Sequence, residues 1–202
     1  MRQSLINSSS LVFLLLGMSL LAGSVPAVEL RSNEWYLRLS ITNSDENLID
    51  NNNLLGQLKE SLSGYDSHDL IELPPFAAPY LTLVFPHPDW EEKAGNYATD
   101  FHQRKGWRQV WYFEVHSDDA GRDITLSWAL TSNTKTRRNM WLVDGVTGEV
   151  IRANSRNHRS SAVSEYSFNM DGQTSHSFYW VQGSRRHAKE QIIESQSLIR
   201  SR

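Results

Sequence analysis

Apolar and polar residues alternate with period two along most of the chain. In "WYLRLSI", Trp35, Leu37, Leu39 and Ile41 fall on one side, and Tyr36, Arg38 and Ser40 on the other. "VWYFEVHS" sets Trp111, Phe113 and Val115 against Tyr112, Glu114 and His116; "DITLSWAL" sets Ile124, Leu126, Trp128 and Leu130 against Asp123, Thr125, Ser127 and Ala129. "PYLTLVF", "MWLVD", "GEVIRA", "EYSFNM" and "HSFYWV" are shorter stretches of the same kind. A strand with one face in a core and one in water carries this alternation. Reversing chemistry separates the runs: Ser117–Gly121, Asp144–Gly148 and Asp171-Gly172-Gln173 supply the Gly and Asx residues that turns need. The expected fold is all-β, an antiparallel β-sandwich, with a closed barrel as the alternative that the pattern does not separate.

Two segments stand outside the rhythm. Residues 42–76 read as one long loop insertion, in which "NLLGQLKESL" has the makings of a short helical turn weakened by Gly56. Residues 184–202 read as a basic tail, with a mobile tail preferred over a short amphipathic helix using Ile192, Ile193, Leu198 and Ile199. At the other end, Arg2, the apolar run Leu11–Gly23 and the small-residue site Val25-Pro26-Ala27 have the layout of a signal peptide over residues 1–27. The run is shorter than the roughly 20 residues of a spanning helix, so no membrane span is expected after cleavage. The sandwich domain is then expected over 28–183, in the periplasm or outside the cell.

Composition narrows the function classes. The chain has no cysteine, which excludes thiol catalysis, thiolate metal sites and disulfides. Residues 29–183 carry 21 acidic and 14 basic side chains, net −7, so nucleic acid is not an expected partner. No nucleophile elbow, phosphate loop or dinucleotide fingerprint is present. The seven histidines, at 68, 87, 102, 116, 158, 176 and 187, are scattered singly, without the pairing of a zinc site.

The richest chemistry lies in "GYDSHD". With Asp45 and Asp50 at the start of the insertion and Asp66 and Asp69 at its end, hard oxygen ligands suited to calcium are available. The competing and preferred reading is that these side chains bond their own backbone as turn-makers. Asp66, His68 and Asp69 are also the candidates for an acidic or metal-assisted hydrolase site. Trp90, Tyr97 and Trp107 fall outside the alternation and are candidate stacking surfaces for a polysaccharide. Tyr36, Tyr112, Trp141 and Tyr179 have outward parity; cover by the long insertion is the expected reason.

The succession "WYLRL", an Asn/Asp-rich loop, "GYDSHD", Pro74-Pro75, "YLTLVFPH", "YATDFH", "WYFEV", "ITLSW", "LVDGVTGEV" and a closing aromatic strand resembles Ig-like β-sandwich modules of exported bacterial proteins, over roughly residues 35–181. The resemblance implies an Ig-like sandwich and surface or periplasmic residence, and no activity. The expected function is non-enzymatic: binding a partner protein or taking part in an envelope or extracellular assembly. A carbohydrate-binding module and a hydrolase follow as alternatives.

Overall fold

The computed structural model describes residues 29–43, 48–62, 64–104, 106, 108–118, 121, 123–132, 139–153 and 165–200, with helical side chains described as far as Ile192. The expected signal peptide, Asp45 and Trp107 lie outside the described residues. The strands are β1 (Trp35–Asn43), β2 (Leu48–Leu58), β3 (Leu81–His87), β4 (Gly95–Tyr97), β5 (Thr99–Gln103), β6 (Gln109–Ser117), β7 (Asp123–Ser132), β8 (Met140–Asp144), β9 (Val150–Arg152), β10 (Glu165–Asn169) and β11 (Ser175–Gln182). A helix, α1 (Arg185–Arg200), follows.

The strands form two packed sheets, ordered β10-β7-β1-β2-β5 and β4-β3-β6-β11-β8-β9. This is an all-β sandwich, antiparallel except for the parallel pair β2–β5. The inward residues of the alternating strands meet in one core: Trp35, Leu37, Leu39 and Ile41 from β1 face Trp111, Phe113 and Val115 from β6, with Phe178 and Trp180 from β11. The Trp35 and Trp111 rings meet edge to face at 5.4 Å. Pairs of this kind add to the large area that each ring removes from water.

The segment expected as an insertion does not loop out. Residues 48–58 form β2, paired with β1 along its length through a bulge between Leu39 and Ile41. Gly56 is a strand position and not a break in a helix. A Cβ there would stand 2.4 Å from the Trp35 carbonyl oxygen and 2.8 Å from Tyr36 Cα. Because backbone cannot swing aside as a side chain does, Gly56→Ala is expected to cost about 1–3 kcal/mol. A urea midpoint equal to that of the parent protein would refute this.

Tyr36, Trp141 and Tyr179 are covered, the first partly by residues of the segment expected as an insertion and the other two by the C-terminal helix. On the five-stranded sheet, Tyr36 packs with Leu54, Leu58, Phe101 and Leu30. On the six-stranded sheet, α1 does the covering: Ala188 and Ile192, one turn apart, sit on Trp141, Val143, Val181 and Tyr179. The helix starts where Ser184 Oγ accepts the His187 amide at 3.1 Å, a side-chain N-cap. Trp141 Nε1 donates to the Gly183 carbonyl at 3.0 Å and fixes the approach. No helix among the described residues is long and apolar enough to cross a membrane.

Candidate functional site

The "GYDSHD" loop is held by its own carboxylates. Asp66 accepts the Leu62 amide at 2.7 Å and the His68 amide at 2.7 Å, and its Oδ1 lies 2.8 Å from His68 Nδ1. Asp69 accepts the Asp66 amide at 2.8 Å and reaches across to the Phe101 amide at 3.2 Å. Thr99 Oγ1 closes the arrangement, donating to the His68 carbonyl at 2.6 Å and accepting the Leu70 amide at 2.7 Å. These bonds dock the loop on the free edge of β5. Burial, with the charges of Asp66 and Asp100 adding to it, pushes the Asp69 carboxyl up to about 6 against the pull of its two amide donors.

Asp50 is used elsewhere. Its Oδ2 accepts the Leu83 amide at 2.8 Å, so a side chain at the bulge of β2 caps the part of β3 that β4 does not reach. Such an edge otherwise presents unpaired amides to other chains. Asp50, Asp66 and Asp69 are therefore each engaged with backbone amides. Among the described residues no group of three or more His, Asp or Glu is arranged to hold a metal ion.

Of the expected stacking surfaces, Tyr97 is corrected: it is 1% exposed and part of the core. Its position in the three-residue strand β4 was too short to show alternation. Trp90 is half-buried and lies flat on His87, with centroids 3.6 Å apart and planes 7° apart. Beneath them is a buried ionic cluster that single-histidine spacing concealed. Asp100, 2% exposed, lies between His87 Nε2 at 3.5 Å and His102 Nε2 at 3.2 Å. Neither contact has the angles of a well-formed hydrogen bond, since His87 Nε2 and Asp100 Oδ1 remain without one. Between Asp100 and His102 the attraction is electrostatic, since Asp100 raises the His102 imidazole against burial. His87 comes from β3 and Asp100 from β5, so the cluster joins the two sheets.

An open cleft lies on the outer face of the six-stranded sheet. Its floor follows from register: Thr82 is paired with His116 and Val84 with Glu114, which puts their alternate side chains on one face. Its wall is the segment after "GYDSHD", tied to β4 by the Glu72 amide donating to the Asn96 carbonyl at 2.9 Å. Ile71, Glu72, Leu73, Pro74, Pro75 and Tyr80 line that wall, and Thr82, Val84, Asn96 and His116 the rest of a cavity of about 300 Å³. In that wall Ile71 is 64% and Leu73 63% exposed, and Phe76, next in the chain after the lining Pro75, is 94% exposed.

The polar groups of the cleft are in different states. His116 Nε2 is 2.7 Å from Glu114 Oε2, and the Tyr112 hydroxyl donates to Glu114 Oε1. Those two partners, the His116 bond foremost, hold the Glu114 carboxyl below its usual range despite burial. Glu72 has no such support: burial, followed by the charge of Asp50, pushes its carboxyl up to about 7. Thr82 Oγ1 is closed off from solvent with no protein partner among the described residues. No protein-family model matches the chain, and neither the curated proteins nor the solved structures contain a match to it.

Proposed function

We propose that the chain is an exported, non-enzymatic β-sandwich protein whose outer-face cleft receives a segment of a partner protein. The observation that carries this reading is the wall of that cleft. Ile71 and Leu73 expose most of their surface in the wall of a concave, partly apolar cavity, and Phe76, 94% exposed, follows the lining Pro75 in the chain. Folded proteins keep large apolar side chains out of water unless a surface is used, and a cluster bordering a cleft is the form a docking site takes. The expected signal segment favours the periplasm or cell exterior as the place of that encounter. The carboxylates of "GYDSHD" stabilise a loop, and Tyr97 and Trp90 are packed against protein, so neither the hydrolase nor the polysaccharide reading gains support from them.

The test is a photoreactive side chain at position 76, introduced into the full chain in its own cell envelope. The expected result is a discrete protein adduct that disappears in the Leu73→Ser background. Both substitutions are at exposed positions and should leave stability within about 0.5 kcal/mol. Absence of an adduct, or an adduct indifferent to Leu73→Ser, would overturn the proposal.

A further inference from the structure

The geometry points to a Lys or Arg side chain, flanked by apolar residues, as the part of the partner segment that enters the cleft and pairs with Glu72. This rests on the reading that the cleft receives such a segment. Glu72 is half-buried among Ile71, Leu73 and Pro74, and no hydrogen bond or ion pair to a described residue holds its carboxylate. A carboxylate withdrawn from water without a partner is unfavourable, and an arriving cation removes that penalty. No Lys or Arg lines the cavity, and its one histidine is already paired with Glu114.

The size and walls agree with this occupant. About 300 Å³ accommodates one or two side chains. The apolar wall suits the methylene stem of Lys or Arg, with the charged end directed to Glu72. The acidic body, net −7 over residues 29–183, would steer a basic segment toward this surface.

Among the described residues, the charged and titratable groups around the cleft are Asp50 of β2, whose charge acts on Glu72, and His116 and Tyr80 in its lining; adjoining these two are Glu114, paired with His116, and Asp118, whose Oδ1 accepts the Tyr80 amide at 2.9 Å. With the Glu72 carboxyl at about 7 in the free protein, a cation should bind more tightly as pH rises and Glu72 ionises. The Glu72→Gln control separates the ionisation of Glu72 from any other pH dependence of binding.

A random heptapeptide display library selected on the immobilised full chain provides the test, followed by synthesis of the best binder with Lys and with norleucine at the basic position. The expected selection is for Lys or Arg beside apolar residues. Glu72→Gln should weaken the Lys peptide at least tenfold and flatten a pH dependence that, in the parent protein, favours pH 8 over pH 5.5 by a similar factor. Norleucine should bind parent and Glu72→Gln alike. If Leu73→Ser abolishes binding while Glu72→Gln leaves affinity and pH profile unchanged, the cation is wrong and the docking cleft stands. If the parent protein selects no peptide, or Leu73→Ser binds as well as the parent, both readings fall.

Discussion

Asp144→Ala is expected to destabilise the protein by about 3–5 kcal/mol, the range for removing one partner of a buried charged network. Asp144, at the end of β8, has no exposed surface, and His176 beside it is 3% exposed. Its Oδ1 accepts the Val146 and Thr147 amides at 2.9 and 2.8 Å and lies 3.0 Å from His176 Nε2. Its Oδ2 accepts the Tyr166 hydroxyl at 2.9 Å. The carboxylate thus shapes the Asp144–Gly148 turn and ties β8 and β11 of one sheet to β10 of the other. Alanine would strand an imidazole and two amides and leave the Tyr166 hydroxyl with the longer bond to Glu149 at 3.3 Å.

The acid limb supplies a second reading of the same site. Burial alone would raise the Asp144 carboxyl, but His176, the Thr147 amide and Tyr166 together hold it below its usual range. A carboxylate depressed in the folded state contributes stability above its unfolded pKa of about 4, lost as pH falls through the folded value. Urea midpoints from pH 7 down to pH 2 should therefore fall more steeply below pH 4 in the parent than in Asp144→Asn. Parallel curves would show that the charge of Asp144 does not contribute.

The alternating strands β1, β3, β6, β7, β8, β10 and β11 were legible because their inward positions are apolar, and β9 because Gly148 and its turn announced it. β2 and β5 were not, for one physical reason. The inward positions of β2 are Asn53, Leu55 and Gln57, with Gln57 Oε1 accepting the Trp35 indole at 3.2 Å. In β5 the polar residues Asp100 and His102 turn toward Trp111, on which His102 stacks at 4.7 Å, while Phe101 packs outward with Leu54 and Leu58. Strands whose buried side is polar carry no alternation of the ordinary sign. The cleft was hidden for a different reason: it exists only through the register that sets Thr82 beside His116, and through a wall whose prolines read simply as an extended approach to β3. His116, on the polar parity of β6, was the one lining residue whose outward direction the sequence disclosed.

The same concealment applies to the inter-sheet cluster, and it leads to the second large effect. Asp100→Asn is expected to cost about 2–4 kcal/mol near pH 5, because it removes the buried charge that the half-buried His87 and His102 face. Burial would raise the Asp100 carboxyl, yet His102 and His87 together hold it below its usual range. Burial would likewise lower the His102 imidazole, and Asp100 raises it instead. The Asp100 contribution is present above a pH of about 4 and lost below, while the His102 contribution is complete below about 6.5 and lost as pH rises through its raised folded value. Their overlap places the greatest benefit between those limits. Asp69 runs the other way: with its carboxyl at about 6, the folded chain holds the extra proton, so that residue makes stability decline as pH rises from about 4 to 6. Since the Asp100 charge adds to that rise, Asp100→Asn should lower the Asp69 value as well as that of His102. The gap between parent and variant should accordingly be wider at pH 5 than at pH 8.5 in urea titrations, with the His102 ring titrating lower in the variant by NMR. An equal gap at both pH values, with His102 unmoved, would mean that the two sheets are joined there by packing against Trp90 and Trp111 and not by charge.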